Sequence, residues 1–278
     1  MGRDPEQGAG TPERDRIGPP GAEAAQVVAV IAIPSYDRFQ VGSARVVATV
    51  SCAASIRGVL EKEPLDEYAA RQPDAVPLMG RAPVFAVNLP GSCGRVVVRH
   101  NMRGGWMAKI NKDLFVLPTR GFRELIASLR LRASGVSTPE VVAYISYPKN
   151  WMLRRSDVAT REIVNGHDLS VALAKVTDHD HRVMVLDAVA KLLRALTHAG
   201  AHHPDLNLKN VLLTAGLGAG LDAHVLDVDR VRFSSPGSPL VAKANLDRLI
   251  RSLRKWRDNF ELPYSAEDEE YLRLRTGE

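Results

Sequence analysis

Runs of β-branched and other apolar residues, separated by turn-forming Pro, Gly, Ser and Asp, dominate the first part of the chain. Short runs of this kind predict β-strands, because branched side chains pack well on a pleated surface. The segment from Pro90 to Gly94 lies between two such runs and predicts a hairpin. The strands are expected at 27–33, 44–50, 83–89, 95–100, 141–147 and 158–164.

Apolar positions repeat every three to four residues in other segments, and this spacing predicts amphipathic helices. One helix is expected over about 119–133, and another, with the strongest period, over 181–199. Gly200 is expected to end the latter, since glycine adopts a left-handed backbone at little cost. A last helix is expected over about 240–258. The order predicts an α+β protein, with a β-rich half that embeds one helix and then a helical half.

The composition is that of a globular protein, because 45% of the 278 residues are hydrophobic and 25% are charged. Residues 1–25 contain almost no large apolar side chain and are predicted to form a disordered N-terminal tail. Cys52 and Cys93 do not form a CxxC pair, which argues against a disulfide framework or a thiolate zinc site and favours a reducing compartment. No apolar run approaches the roughly 20 residues that cross a bilayer. The N-terminus lacks the apolar core of a secretory signal, so a cytoplasmic location is expected.

Two polar motifs follow the helix at 181–199 and together indicate phosphoryl transfer. His203, Asp205 and Asn210 keep the H-x-D-L-x-x-x-N spacing of a kinase catalytic loop. Asp205 is predicted to be the catalytic base, because a loop carboxylate can accept the proton of an attacking hydroxyl. Asn210 and Asp227, the latter at the end of an apolar run, offer oxygen ligands for Mg²⁺, and His203 is predicted to orient the loop. The alternative for an isolated D-x-x-x-x-N is a pair of ordinary turn residues.

A kinase also needs a cation for the nucleotide phosphates and an acid that positions this cation. Arg99 occupies the position of the usual lysine at the end of its predicted strand, and Glu124 is the only acidic residue of the helix at 119–133. We therefore predict that Arg99 and Glu124 form a pair that binds ATP, although an arginine on a strand is often a solvated surface residue. Gly80 and the Gly91–Gly94 turn are candidates for a loop that covers the phosphates, but neither forms a full G-x-G-x-x-G.

The formal charge is +5, and basic residues concentrate in 95–132 and 243–257. This balance favours an anionic partner, although charge runs also form ordinary solvated faces. Arg103, Gly104 and Gly105 are predicted to form a tight basic turn that would suit a phosphorylated or membrane-embedded substrate. The sequence carries no nucleic-acid-binding signature, so nucleic acid is not an expected partner.

Five segments resemble the 3-deoxy-D-manno-octulosonic acid (Kdo) kinases, a group of lipopolysaccharide core kinases. These segments are RHNMRGGWMAKINKDLF (99–115), TRGFREL (119–125), HPDLNLKNVLL (203–213), VLDVDR (225–230) and NLDRLIRSLRK (245–255). The resemblance covers about 80–258, and its Arg-His-x-x-Arg-Gly-Gly element and D-L-N-x-x-N loop are specific to this group. An arginine at position 99 is usual there, whereas Pro204 and Val228 depart from the pattern and residues 26–80 are only faintly similar.

The resemblance implies a bilobal protein-kinase-like fold, with a β-rich nucleotide-binding N-lobe over 26–165 and a helical C-lobe over 166–278. It also implies ATP- and Mg²⁺-dependent phosphorylation of a Kdo hydroxyl on a lipid A precursor. This activity would place the protein peripherally on the cytoplasmic face of a Gram-negative inner membrane. The segment after Arg230 has room for about two helices, which favours a sugar or another small acceptor over a protein.

Three alternatives stay open at this stage. A heptose kinase would share much of the scaffold. A small-molecule phosphotransferase of the aminoglycoside or choline type also carries D-x-x-x-x-N, although the basic stretches suit an anionic acceptor better. A catalytically silent kinase-like module that binds a lipid surface or a partner is an alternative of another class. The presence of Asp205, Asn210 and Asp227 argues against this last alternative.

Overall fold

The computed structural model of the chain describes residues 35–78, 84–101, 119–149, 154–216 and 220–277. The tail at 1–25 and the strand expected at 27–33 lie outside these ranges. The strands within them are β1 (Tyr36–Val41), β2 (Ala44–Thr49), β3 (Val76–Leu78), β4 (Val84–Leu89), β5 (Gly94–His100), β6 (Val141–Pro148), β7 (Arg154–Arg161), β8 (His167–Asp168), β9 (Ala201–His202), β10 (Val211–Ala215), β11 (Leu221–Val225) and β12 (Arg232–Phe233). The α-helices are α1 (Val50–Leu60), α2 (Leu65–Arg71), α3 (Arg120–Ala133), α4 (Leu169–Ala174), α5 (His179–His198), α6 (Pro239–Phe260) and α7 (Ala266–Thr276).

Seven antiparallel strands form one sheet in the order β1-β2-β6-β7-β5-β4-β3. Alternation along β5 buries Val96 and Val98 in the cluster that α1 and α2 cover. The other face packs Leu125 of α3 against Val158 of β7. Because neighbouring residues of a strand point to opposite faces, Arg99 is directed towards the α3 side.

The first half of the chain contains more helix than the sequence analysis predicted. The expectation of a single embedded helix is wrong, since α1 and α2 precede α3. Cys52, Ile56 and Val59 are buried along α1, and Leu65 and Ala69 are buried along α2. These spacings are helical, but both helices are short and α1 directly follows the apolar run at 44–50 that predicts a strand. The helical pattern was therefore not recognised in the sequence.

Strand β7 begins earlier than expected, at Arg154 instead of residue 158. Its first residues are polar yet buried, and Ser156 and Asp157 are fully inaccessible to solvent. The Asp157 carboxylate accepts a hydrogen bond of 2.9 Å from the hydroxyl of Tyr147 on β6. A strand whose polar side chains find partners in this way has no apolar signature in the sequence.

A single disulfide joins α1 to the turn between β4 and β5, through Cys52 and Cys93. The expectation that argued against disulfide bonding is therefore wrong for this pair. Both residues are buried in the cluster beneath α1 and α2. They lie 41 residues apart in the sequence, so only the packing of α1 on the sheet brings them together.

The helical half is built around α5, which buries residues such as Val185, Val189, Leu192 and Leu196 in the largest hydrophobic cluster. Gly200 follows this helix with a φ of 63°, as expected for a left-handed cap. A Cβ at this position would lie 2.3 Å from the main-chain oxygen of Ser234, so only glycine fits.

The helix predicted over about 240–258 is α6, but it is not the last helix. After α6 the chain forms α7, whose N-terminus carries a reciprocal capping arrangement between Ser265 and Asp268. Two helices therefore follow Arg230 in the described residues, as the sequence analysis expected.

Helix α3 packs against both halves of the protein. Leu125 lies in the cluster against the sheet, whereas Ala127 and Leu131 lie in the large cluster around α5. Thr119 caps the helix by accepting a hydrogen bond from the backbone N–H of Phe122. Side chains in the first two turns of α3 can therefore reach residues of both halves.

Gly121 allows α3 to approach the sheet closely. A Cβ at this position would lie 2.6 Å from Cγ2 of Val158 and 2.7 Å from Nδ2 of Asn101. We expect Gly121→Ala to lower the free energy of unfolding by roughly 2 kcal/mol, because overpacking displaces the helix. Gly58→Ala in α1 is the matched control, since nothing lies within 4 Å of its added Cβ. This control should gain about 0.5–1 kcal/mol in urea unfolding, and an equal gain in both variants would contradict the close approach.

Candidate active site

The structure brings Arg99 and Glu124 together across the space between β5 and α3. A guanidinium nitrogen of Arg99 forms an ion pair with Oε1 of Glu124. Glu124 is 5% exposed, and burial raises the pKa of its carboxyl while the charge of Arg99 opposes this shift. The buried acid therefore holds a partly exposed cation, which is the arrangement that a phosphate-binding arginine requires.

Asp227 lies next to the pair of Arg99 and Glu124, at the start of the turn that follows β11. Its Oδ1 lies 3.8 Å from Nη1 of Arg99 and 3.3 Å from Nη2 of Arg120. Its backbone adopts a left-handed conformation, with φ 56° and ψ 50°. A non-glycine residue in this region carries strain that the surrounding contacts must hold in place, and such residues concentrate at functional sites.

Arg120, at the start of α3, joins Asp227 to a second carboxylate. Its Nε donates to Oδ2 of Asp229 at 2.5 Å, and its Nη2 lies 3.2 Å from Oδ1 of the same residue. Burial raises the pKa of the Asp229 carboxyl, and the hydrogen bond from Arg120 opposes this shift. The sequence analysis named neither Arg120 nor Asp229 as a site residue. The available signal was the pair of acids on either side of Val228, because two close carboxylates need a cation nearby.

The loop at 203–210, which carries the predicted base Asp205, is held by the buried side chain of His203. Burial lowers the pKa of this imidazole, so the neutral form is favoured. Its Nδ1 accepts from the backbone N–H of Asp205 at 3.2 Å, which leaves Nε2 as the nitrogen that donates to the main-chain oxygen of Leu226 at 3.0 Å. His203 thus links the loop to the residue that precedes Asp227.

The carboxylate of Asp205 is accessible, with 43% of its side chain exposed. One of its oxygens, Oδ1, accepts a hydrogen bond of 2.8 Å from Nη2 of Arg248 on α6. The Nε of Arg248 also donates to the main-chain oxygen of Pro204 at 3.3 Å. Arg248 therefore fixes the orientation of this carboxylate while part of it stays open to solvent.

Asn245, one turn before Arg248 on α6, holds the main chain of the same loop. It is fully buried, and its Oδ1 accepts from the backbone N–H of His203 at 2.9 Å. Its Nδ2 donates to the main-chain oxygen of Ala201 at 2.8 Å. The sequence signal for this residue is an amide on the face of α6 that otherwise buries Leu246, Leu249 and similar residues.

The predicted metal ligands Asn210 and Asp227 are joined through the backbone, since the N–H of Leu226 donates to the main-chain oxygen of Asn210 at 2.9 Å. The Asn210 amide nitrogen donates to the main-chain oxygen of Asp205 at 2.8 Å. The amide oxygen of Asn210 and the carboxylate of Asp227 are the hard oxygen donors that Mg²⁺ prefers. This donor set fits a magnesium ion.

Four other predicted site residues fall in segments outside the described ranges. Gly80, proposed for a phosphate-covering loop, lies outside the described residues, as do Arg103, Gly104 and Gly105, proposed for the substrate.

A second group of charged residues lies next to Arg99, at the end of β5. Ligand atoms of Asp66, His100 and Asp157 lie within 4.8 Å of one another. Burial acts to lower the pKa of His100, but the hydrogen bond and charge of Asp157 outweigh it, so the net shift is upward. The Asp157 carboxylate also accepts hydrogen bonds from the backbone N–H of Asp66 and from Tyr147. We interpret this group as a structural network that fixes the end of β5.

Comparison with known proteins shows which family the chain resembles. Residues 86–272 match the model of the lipopolysaccharide kinase (Kdo/WaaP) family. A 3-deoxy-D-manno-octulosonic acid kinase from Vibrio vulnificus (strain YJ016) is 28% identical over 202 residues, which cover 71% of this chain and 80% of that protein. A protein of the same name from Xanthomonas oryzae pv. oryzae (strain PXO99A) is 31% identical over 189 residues, which cover 65% of this chain and 69% of that protein.

The fold is also similar to that of a solved structure, WaaP in complex with acyl carrier protein. The TM-score is 0.52 and the identity 17%, and the match covers 77% of this chain and 83% of that chain. Together with the family match, this likeness defines a kinase-like phosphotransferase. The chain belongs to the lipopolysaccharide kinase (Kdo/WaaP) family.

The likeness to the solved structure confirms the expected fold class. Family membership confirms the expected reaction, phosphorylation of a sugar hydroxyl in lipopolysaccharide core biosynthesis. Membership in a kinase family also implies ATP as the phosphoryl donor. No helix in the described part of the chain combines the length and apolarity that a membrane crossing needs.

Proposed function

We propose that the protein transfers the γ-phosphoryl group of Mg-ATP to a hydroxyl of Kdo in a lipid A-core precursor. The observation that supports this proposal best is the proximity of Asp205, Asn210 and Asp227. The side-chain amide of Asn210 donates to the main-chain oxygen of Asp205, the main-chain oxygen of Asn210 accepts from the N–H of Leu226 next to Asp227, and Arg99 lies 3.8 Å from Asp227. Relatives of this chain are named Kdo kinases, and Kdo carries the anionic carboxylate that the basic composition suits.

Asp205 acts as the base in the proposed reaction. The acceptor hydroxyl gives its proton to the Asp205 carboxylate while its oxygen forms a bond to the γ-phosphorus. The bond from this phosphorus to the β,γ-bridging oxygen breaks, and ADP leaves. Arg248 occupies Oδ1 of Asp205, which leaves the other carboxylate oxygen for the substrate. His203 and Asn245 keep the loop in place and exchange no proton with the substrate.

Arg99 and Arg120 place positive charge where the phosphates of ATP would lie, and buried Glu124 orients Arg99. A magnesium ion held by Asn210 and Asp227 would neutralise further charge on the transferred group. Catalysis of this kind depends mainly on position and electrostatic stabilisation. In this scheme, Gly80 belongs to the loop over the phosphates, and Arg103, Gly104 and Gly105 bind the acceptor, on the strength of the sequence alone.

We further propose that the N-lobe spans 26–165 and the C-lobe 166–278, and that the protein acts peripherally on the cytoplasmic face of the inner membrane. The acceptor is then a lipid-linked anionic sugar. The basic stretches at 95–132 and 243–257 support this location, because clustered Lys and Arg are attracted to anionic lipid surfaces.

A transfer assay tests the proposed function. Labelled γ-phosphate is offered as Mg-ATP together with a lipid A precursor that carries Kdo, the same lipid without Kdo, a heptose-containing core or an aminoglycoside. We expect label on the Kdo-bearing lipid and none on the lipid that lacks Kdo. Label on the heptose core alone would overturn Kdo as the acceptor, and label on the aminoglycoside alone would overturn the lipopolysaccharide substrate.

A further inference from the structure

A cavity of about 400 Å³ lies in the helical half, between α4, the 203–210 loop and the C-terminal end of α6. Its walls include two aromatic rings, two lysines and a glutamate: Trp256, Phe260, Lys175, Lys209 and Glu261. The residues proposed to bind ATP and magnesium, Arg99, Glu124, Asn210 and Asp227, do not line this cavity. Its size is within the usual range for a small-ligand site.

The aromatic wall of the cavity consists of one half-buried ring and one exposed ring. The rings of Trp256 and Phe260 lie 4.7 Å apart at an angle of 40°. Trp256 packs partly against the core, whereas Phe260 is 62% exposed, which is costly for so large an apolar side chain. Aromatic faces pack well against the apolar faces of flat ligands and of sugar rings.

Charged groups of both signs border the rings. The ammonium of Lys209 lies 4.8 Å from the centre of the Trp256 ring and donates to Asp168 and Ser170 at 3.0 and 2.9 Å. Glu261 follows α6 with a φ of 51°, a left-handed conformation that usually selects glycine. A wall with both donors and acceptors suits a ligand rich in hydroxyl groups better than it suits a bare phosphate or an acyl chain.

The position of Lys209 connects this cavity to the proposed reaction. Lys209 directly precedes Asn210 and belongs to the same loop as Asp205, whose exposed carboxylate is the proposed base. A ligand in the cavity would therefore be held by the segment that also presents the base. The proposed nucleotide-binding residues Arg99 and Glu124 lie on β5 and α3 instead.

We infer that this cavity is a saccharide subsite, in which a sugar ring of the acceptor packs on Trp256 and Phe260. Hydroxyl and carboxylate groups of that sugar meet Lys175, Lys209 and Glu261. The inference rests on the proposed function, because it assigns the cavity to the acceptor of that reaction.

Phe260→Ala tests the subsite, and Leu240→Ala is its matched control. Both residues belong to α6 and both are 62% exposed, but Leu240 lies at the opposite end of the helix and outside the cavity. With the Kdo-bearing lipid A precursor as acceptor, Phe260→Ala should raise the acceptor KM about tenfold and leave the KM for ATP unchanged, since an aromatic contact contributes about one factor of ten in affinity. Leu240→Ala should change neither.

Glu261→Gly gives a second test that loss of folding cannot mimic. Glycine relieves the left-handed backbone, so the variant should unfold at the same or a higher temperature than the wild type. We expect its acceptor KM to rise severalfold all the same. Wild-type acceptor KM in both Phe260→Ala and Glu261→Gly would overturn the subsite.

The outcome for the subsite stays separate from that for the proposed function. Activity of the wild type on the Kdo-bearing lipid tests the proposed function. The ratio of the variant acceptor KM to the wild-type acceptor KM tests whether the cavity binds the acceptor. If the wild type does not phosphorylate this lipid, the proposed function fails, and equilibrium dialysis with labelled free Kdo tests the cavity directly. Binding that Phe260→Ala weakens would support the subsite, and binding equal in the variant and the wild type, or absent from both, would overturn it.

Discussion

Replacement of Asp205 by alanine is expected to lower the rate of phosphoryl transfer by roughly 10³-fold, within the range typical for loss of a general base. The exposed carboxylate of Asp205 is the proposed base, and His203 and Arg248 fix the loop around it. Binding of ATP should change little, since the proposed phosphate-binding residues lie on β5 and α3. Single-turnover transfer to the Kdo-bearing lipid and a separate titration with nucleotide measure the two effects.

Asp222→Ala is a suitable control for this variant. Asp222 lies on β11, is similarly exposed, and pairs with Lys191 at 3.4 Å. It should keep wild-type activity. Loss of nucleotide binding together with transfer in Asp205→Ala would assign Asp205 a structural role, because the loop would then depend on the carboxylate for its conformation. Thermal unfolding of both variants would show whether the fold is retained.

Local patterns predicted the elements that carry the candidate site. The β4–β5 hairpin, α3, α5 and α6 follow from alternation or helical spacing over long segments, and Gly200 marks the end of α5 as expected. The fixed distance from Asp205 to Asn210 is also a local property of one loop. Features of this kind depend only on residues that are close together in the sequence, so a single sequence is sufficient to predict them.

Features that depend on tertiary partners were not predictable in the same way. Strand β7 begins with buried polar residues because Asp157 finds donors on other elements. The disulfide between Cys52 and Cys93 exists because α1 packs on the sheet. Arg120 and Arg248 resemble ordinary surface arginines of amphipathic helices, and only the fold shows that each meets a carboxylate more than 40 positions away.

The two arginines that meet Asp227 come from different elements, and this difference has a consequence for the site. Arg99 extends from the sheet, and Arg120 from the first turn of α3, which also packs against the helical core. Any shift of α3 relative to the helical half therefore changes the charge around Asp227. Close packing at Gly121 limits such a shift, so the tight helix–sheet contact and the electrostatics of the site depend on each other.

Arg120→Ala is expected to destabilise the protein by roughly 1–3 kcal/mol, between the cost of breaking an exposed ion pair and that of breaking a fully buried one, because Arg120 is 38% exposed and solvent screens its charge. The carboxylate of Asp229 is 5% exposed, and without Arg120 it would lose the guanidinium that binds both of its oxygens. Transfer activity should fall as well, because Asp227 loses one of the two arginines that approach it within the described part of the chain. Urea unfolding gives the stability, and the assay on the Kdo-bearing lipid gives the activity.

A double-mutant cycle separates these two effects. Asp229→Asn removes the buried charge, so Arg120→Ala combined with Asp229→Asn should recover much of the stability that Arg120→Ala alone loses, since no uncompensated carboxylate remains. Activity should not recover to the same extent, because the contact between Arg120 and Asp227 is absent from the double variant as well as from Arg120→Ala. Additive losses of stability would show that Arg120 and Asp229 do not stabilise the fold as a pair. Full recovery of both properties would mean that the cation next to Asp227 contributes nothing to transfer, and that Arg99 alone supplies the charge the site needs.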